Sequence, residues 1–124
     1  MAKNGITAEK LANAPSEAEA AQKFLEKFGY DVMLAAWVLF LDIGFLRRIF
    51  KSAHLAWQYD YHYFDIWPVA WVYLLQNNYQ GSINSEPIFQ TFGLPKRGHH
   101  DALADCRLAA EVLRKLMNQQ KHGA

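Results

Sequence analysis

The chain has 124 residues, 52% of them hydrophobic, so it is large enough for one compact domain with an apolar core. Its 13 Lys and Arg residues against 12 Asp and Glu residues give a net charge of +1, which excludes a global field that attracts polyanions. Any nucleic-acid surface must therefore be a local patch. A single cysteine, Cys106, cannot form an intramolecular disulfide, which favours a reducing compartment and predicts a cytoplasmic location.

No export signal or membrane span is expected from the sequence. The N-terminal segment contains no apolar core of signal-peptide length. The longest apolar run, residues 32–41, is about half of the roughly 20 residues that cross a bilayer, and Asp42 follows it directly. We therefore expect no membrane association, and we interpret this run as a buried strand that leads into a helix.

The first elements predicted are a connector and a helix. Turn-forming residues and a proline place a connector over residues 1–15. Ser16 and Glu19 have the spacing of a capping box, and apolar residues then recur at helical spacing. These signals predict a helix over residues 16–28.

The following apolar run predicts a strand and a second helix. Residues 30–40 are apolar apart from one Asp, which is typical of a parallel strand buried on both faces. From Asp42 to about residue 53, an apolar stripe faces away from basic residues, as in an amphipathic helix.

The second half of the chain predicts one short strand and three helices. The strand is expected over residues 59–66, and the first two helices over residues 68–76 and 85–92. The last helix follows His100, and residues 118–124 form a polar tail. Its predicted buried stripe consists of Leu103, Cys106, Ala109, Ala110, Leu113, Leu116 and Met117.

The most informative stretch lies at the entrance to the last helix, where Asp105 follows His100 by five residues. With the histidine in the loop and the aspartate in the first turns, both side chains can face one cleft. Asp101 can cap the helix. Asp42 lies where the predicted strand ends, and α/β folds place their sites at the carboxyl ends of strands. Three groups suited to metal chemistry therefore lie at the ends of elements.

Five segments, in order, resemble the DEDDh type of 3′-to-5′ exonuclease domain, which is DnaQ-like and belongs to the ribonuclease-H-like superfamily. They are N-G-I-T at 4–7, L-D-I-G-F-L at 41–46, Y-F-D-I at 63–66, F-G-L at 92–94 and H-D-A-L-A-D at 100–105. The second and fifth look like the family motifs F-D-x-x-F-L and H-x-A-x-x-D. The resemblance covers nearly the whole chain and implies a single α/β domain, 1–124, with a ribonuclease-H-like fold.

The resemblance also implies an activity, a substrate and a set of site residues. The family hydrolyses terminal phosphodiesters at the 3′ end of DNA or RNA with two divalent cations, Mg²⁺ or Mn²⁺, held by four acidic residues. By position, Asp42 and Asp105 would be metal ligands and His100 the general base. The loop before the last helix would supply substrate contacts from Lys96, Arg97 and His99.

One family motif has no counterpart in this sequence, which contains no D-x-E. Glu17 and Glu19 are the nearest substitute, but on a helix their side chains diverge by about 200° and cannot share one metal. We therefore expect a truncated fold without its first antiparallel strands, in which helices surround a remnant parallel sheet. A site with only a few carboxylates binds hard cations weakly, so we expect little or no activity from this chain alone. The exposed sheet edge could pair with a second copy or a partner chain.

Other readings of the same residues stay open. Without the ordered motifs, His100 is a loop histidine, Asp105 and Asp42 are acids at helix N-termini, and Lys96 and Arg97 are solvated charges. A rival hypothesis is a non-catalytic module that binds a partner or self-associates through an aromatic surface near residues 57–75. Aromatic residues there could instead stack bases or pack in the core: Trp57, Tyr61, Tyr63, Trp67 and Trp71. A third hypothesis is that another chain supplies the missing acids.

Overall fold

The computed structural model describes residues 5–98 and 101–120. Over these residues the chain is mostly helical and contains one small sheet. The elements are α1 Ala8–Ala12, α2 Glu17–Phe28, β1 Ala35–Ala36, α3 Leu39–Ser52, β2 Phe64–Asp65, α4 Ile66–Gln76, α5 Ser85–Thr91 and α6 Ala102–Gln120. The two strands are parallel, with Ala35 opposite Phe64 and Ala36 opposite Asp65. This confirms the predicted fold class, in which helices accompany a remnant parallel sheet.

The chain divides into two compact units. The first unit is Ile6–Asp65, which contains α1, α2, α3 and both strands. The second unit contains the described residues from Ile66 onward, with α4, α5 and α6. None of the helices in the described ranges has the length and apolar character needed to cross a bilayer. That the whole chain is a single domain stays a prediction.

Helix α2 begins where the sequence predicts. The Ser16 hydroxyl accepts a hydrogen bond from the Glu19 backbone N–H at 3.2 Å, and the Glu19 carboxylate accepts one from the Ser16 N–H at 2.7 Å. This reciprocal pair is the capping box. Gly29 ends the helix with a φ of 64°, in the left-handed region that suits glycine.

The core of the first unit lies between α2 and α3 and is aromatic. Its buried residues are Ala21, Phe50 and Tyr59, around which partly buried side chains pack. The Phe50 ring meets the rings of Trp57 and Tyr59 edge-on, at centroid distances of 5.4 and 5.7 Å. The Phe24 ring of α2 also meets Phe50 edge-on, at 6.3 Å, so burial of aromatic rings joins the two helices.

The predicted strand over residues 30–40 was wrong in length and burial. Only Ala35–Ala36 is a strand, and α3 already begins at Leu39. Val32 and Met33 are 37% and 63% exposed. The sheet gives this run one neighbouring strand of two residues, so backbone pairing cannot extend along it, and the last two residues of the run already belong to α3.

The core of the second unit lies between α4, α5 and α6, with Ile88, Phe89 and Val112 almost completely buried. On α6 the buried side chains are Ala109, Val112 and Leu116. The predicted stripe is confirmed at Ala109 and Leu116, but its centre lies roughly a quarter turn from the observed buried face at 100° per residue. Leu103 and Met117 are about 60% exposed, and Cys106 is exposed rather than part of the core. The helix is apolar over a wide arc, so packing against α4 selects the buried face.

Candidate functional site

In the first unit, two carboxylates lie near the N-terminus of α3. Asp42 is in the first turn of the helix. Val38, at the N-cap position, has no polar side chain, and the Asp65 carboxylate from β2 accepts a hydrogen bond from the Leu39 N–H at 3.3 Å. A residue 26 positions away in the sequence therefore satisfies one of the N–H groups that a helix leaves unpaired. Both acids lie where the helix dipole favours negative charge.

The surroundings of Asp42 change its pKa. Desolvation by neighbouring atoms raises the pKa of Asp42, although the residue as a whole is exposed. The hydrogen bond from its own backbone N–H lowers the pKa, and the nearby Asp65 carboxylate raises it. Repulsion from Asp65 therefore adds to desolvation in favouring a bound proton or cation at Asp42.

In the second unit, Asp105 lies in the first turn of α6. Asp101 caps this helix, because its carboxylate accepts hydrogen bonds from the N–H groups of Leu103 at 2.8 Å and Ala104 at 3.3 Å. The capping role predicted for Asp101 is confirmed. The cap fixes the start of α6, and the Asp105 side chain, 35% exposed, therefore projects from an ordered turn.

The Asp105 carboxylate is paired with an arginine that also binds a second acid. Arg97 donates a hydrogen bond from Nη1 to Asp105 at 3.2 Å and one from Nε to Glu86 at 2.8 Å. The Arg97 backbone N–H donates to the other Glu86 oxygen at 3.1 Å. The guanidinium lies 5.4 Å from the centre of the Phe89 ring, and the Arg97 side chain is 17% exposed. We call Glu86, Arg97 and Asp105 the acid–arginine cluster.

The hydrogen bonds from the Arg97 side chain and backbone hold the pKa of Glu86 below its ordinary value. A carboxyl group whose pKa is lowered by folding contributes stability above its unfolded pKa and loses that contribution as the pH falls through the folded pKa. We therefore expect Glu86→Gln to destabilise the chain at pH 7 and the difference from wild type to shrink below the ordinary glutamate pKa. Urea unfolding of both proteins from pH 7 to pH 3 measures this, and a difference that grows in acid would contradict it.

The predicted site residues have different surroundings. Asp42 lies beside Asp65 in the first unit, and Asp105 lies beside Arg97 in the second. Lys96 is exposed in the loop that precedes α6. The remaining two predicted residues, His99 and His100, lie outside the described residues. The roles assigned to all of these residues stay predictions.

Sequence reasoning missed Asp65 and Glu86. Asp65 stands in the Y-F-D-I segment, which was recognised only as a family resemblance and not as the source of a cap. Glu86 carries no motif, and its one sequence signal is an acidic residue in the first turn of a short helix. Asp65 binds Leu39, 26 positions away, and Glu86 binds Arg97, 11 positions away. No local sequence pattern encodes such a pair.

The described residues do not fit a complete divalent-cation site. Over 5–98 and 101–120, no three His, Cys, Asp or Glu side chains lie close enough together to hold a metal ion. Hard cations such as Mg²⁺ require several oxygen ligands, whereas the Asp105 carboxylate already binds a guanidinium. Asp42 and Asp105, two of the four acids that the resemblance assigns to the metal ions, are present, but these two residues alone do not form the coordination sphere.

The described residues combine a helical α/β fold with acids in the first turns of α3 and α6. The family model described as Exonuclease matches residues 1–113. The chain therefore belongs to the exonuclease family, as a DEDDh-type domain of the ribonuclease-H-like superfamily. No curated protein and no solved structure matches it.

Proposed function

We propose that this chain is a cytoplasmic 3′-to-5′ exonuclease domain whose substrate is the 3′ end of DNA or RNA and whose reaction is hydrolysis of the terminal phosphodiester. The family match over residues 1–113 is the observation that carries this proposal. It makes the chain nuclease-like, and the H-x-A-x-x-D motif with its Asp in the first turn of α6 supports the same reading. The single domain 1–124 is part of the proposal.

We further propose that hydrolysis by this chain alone is impaired or absent. Two features of the described residues support impairment. No three potential metal-binding side chains cluster in those ranges, and Asp105 is paired with Arg97. Two carboxylates supply about half the negative charge of a four-acid site, and affinity for a hard cation falls with the number of charged ligands.

The residue roles follow the family resemblance. We propose Asp42 and Asp105 as ligands of Mg²⁺ or Mn²⁺, a cation that when bound activates water and stabilises charge on phosphate oxygens. His100 would accept the proton of the attacking water, since imidazole titrates near neutral pH. The substrate phosphates would be contacted by Lys96, Arg97 and His99. Lys96 suits this role because its side chain is exposed.

Release of mononucleotides from a 3′-labelled single strand in Mn²⁺ tests the proposal. We expect slow release by the wild-type chain, well below the ~10 s⁻¹ of a typical enzyme. Asp105→Asn should lower this release by ~100-fold or more, because even the outer partners of metal ligands contribute 10- to 100-fold.

The matched control is Glu111→Gln, which removes an acid from the exposed face of the same helix, where it pairs with Arg114 at 3.1 Å. It should retain the wild-type rate, since exposed ion pairs contribute little. Release that survives Asp105→Asn would contradict the assigned role. If Asp105→Asn and Glu111→Gln lower nucleotide release to the same extent, the cause is a general effect on folding.

A second candidate function is supported by exposed apolar side chains on α3. Phe40, Leu41 and Phe45 are 76%, 50% and 66% exposed and lie on one side of the helix. Exposed apolar patches of this kind mark protein interaction sites. Of the aromatic surface expected near residues 57–75, Trp57 and Tyr59 pack in the core of the first unit, whereas Tyr61 is 77% exposed. Two results together would favour this interaction module. The folded wild-type chain would release no nucleotide, and in sedimentation it would form an oligomer whose fraction rises with concentration.

A further inference from the structure

Arg97 bridges two carboxylates within the second unit. Its Nη1 lies 3.2 Å from an oxygen of Asp105, and its Nε lies 2.8 Å from an oxygen of Glu86. A guanidinium presents its donors in a rigid planar fork, so two acids can bind it at once without either losing its hydrogen bond. The carboxylate of Asp105, which the family resemblance assigns to a metal ion, is therefore bound by a positive charge from the chain itself.

Contacts from α5 hold Arg97 in this position. Glu86 binds it twice, through the side chain at 2.8 Å and through the backbone N–H at 3.1 Å. Phe89, one helical turn after Glu86 and 2% exposed, lies beneath the guanidinium at 5.4 Å. The backbone N–H of Leu94 donates to the carbonyl of Phe89 at 3.0 Å and ties the preceding loop to the same helix. The Arg97 side chain is only 17% exposed, so it is a fixed part of the unit.

The charges of the cluster determine how it responds to a cation. Glu86 and Asp105 contribute two negative charges and Arg97 one positive charge, which leaves a net charge of −1. A divalent cation that approaches Asp105 is repelled by Arg97 and must compete with it for the carboxylate oxygens. Partial burial of Arg97 limits the screening of this repulsion by water and salt.

We propose that Arg97 is the internal counter-ion of Asp105, held by Glu86 and Phe89, and that it keeps the affinity of this carboxylate for divalent cations low. The inference rests on the proposed role of Asp105 as a metal ligand and deepens it. Arg97 is thus a positioning residue that controls cation access, and Glu86 positions Arg97. In this role Arg97 acts on the carboxylate of Asp105, whereas the substrate role that the family resemblance gives it would act on a phosphate.

Titration of the full chain with Mn²⁺ alone tests this proposal without requiring activity. Binding is measured as the loss of the paramagnetic resonance signal of free Mn²⁺. Arg97→Gln removes the positive charge and should tighten Mn²⁺ binding by ~10-fold, within the 5- to 150-fold range of couplings between sites. Arg97→Lys retains the charge and should stay near the wild-type affinity. Glu86→Gln can still accept a hydrogen bond from Arg97 but removes one negative charge, so the net charge of the cluster rises from −1 to 0 and Mn²⁺ binding should weaken.

Two controls localise the effect. Arg114→Gln removes an exposed positive charge from α6 and should leave Mn²⁺ affinity unchanged. The double variant Arg97→Gln with Asp105→Asn should lose the gain, because the carboxylate that gains affinity is gone. Circular dichroism confirms that each variant is folded.

The outcomes separate this proposal from the nuclease proposal. Folded Arg97→Gln with unchanged or weaker Mn²⁺ binding would overturn the counter-ion role. Should that variant not fold, unchanged affinity in Glu86→Gln would overturn it instead. Tighter binding in Arg97→Gln without nucleotide release by any variant would support the counter-ion role and count against the nuclease function.

Discussion

Replacing Phe50 by alanine is expected to lower the free energy of unfolding by about 3–5 kcal/mol. Phe50 is 1% exposed and packs edge-on against Trp57 and Tyr59 in the core of the first unit. Truncation removes the transfer free energy of the ring, leaves a cavity that the surrounding helices cannot fully close, and breaks these aromatic contacts. Urea unfolding monitored by circular dichroism measures the difference.

Phe45→Ala is the matched control, because Phe45 lies on the same helix and is 66% exposed. Its substitution should change the free energy of unfolding by less than about 0.5 kcal/mol. A loss for Phe45→Ala as large as that for Phe50→Ala would mean that the exposed face of α3 is covered in solution. That result would contradict the packing described here and favour the self-associating module.

The parts of the fold that the sequence predicts well are those that local interactions determine. The start of α2 depends on Ser16 and Glu19, which bond to each other within one helical turn. The start of α6 depends on Asp101, which bonds to the N–H groups two and three residues later. In both cases donor, acceptor and spacing are visible in a few consecutive residues, so the pattern alone is sufficient.

The parts that were wrong depend on partners far away in the sequence. The apolar run at residues 30–40 fits a buried strand, but a strand requires neighbours, and here the only pairing in the described ranges is with Phe64–Asp65. On α6 the apolar residues cover a wide arc, so periodicity does not decide which side is buried. Packing against α4 decides it, and Cys106 becomes exposed.

The site divides in the same way. Asp42 and Asp105 were identified from motifs, and both lie in the first turns of their helices, as the sequence predicts. Their immediate partners were not predictable, because Asp65 and Arg97 reach them through the folded chain. These partners change the chemistry, since one adds a second negative charge and the other supplies a positive one. A motif therefore indicates which groups a site contains, whereas their charge state depends on the neighbours.

Phe89→Ala should lower the free energy of unfolding by about 3–5 kcal/mol, because Phe89 is 2% exposed in the core of the second unit. The loss has two physical sources, the cavity in the core and the removal of the apolar surface on which the Arg97 guanidinium lies at 5.4 Å. Denaturant unfolding of the full chain measures the sum of both.

Phe89→Leu separates these sources. Leucine keeps most of the apolar volume, so the cost should fall to about 1–1.5 kcal/mol, as for other volume-conserving core substitutions. It offers Arg97 no aromatic face, so part of the remaining cost belongs to the cation–ring contact. That part should disappear when Phe89→Leu is made in an Arg97→Gln background, because the free-energy changes of substitutions at contacting residues do not add. Equal costs in both backgrounds would show that Phe89 only fills the core and does not hold the arginine.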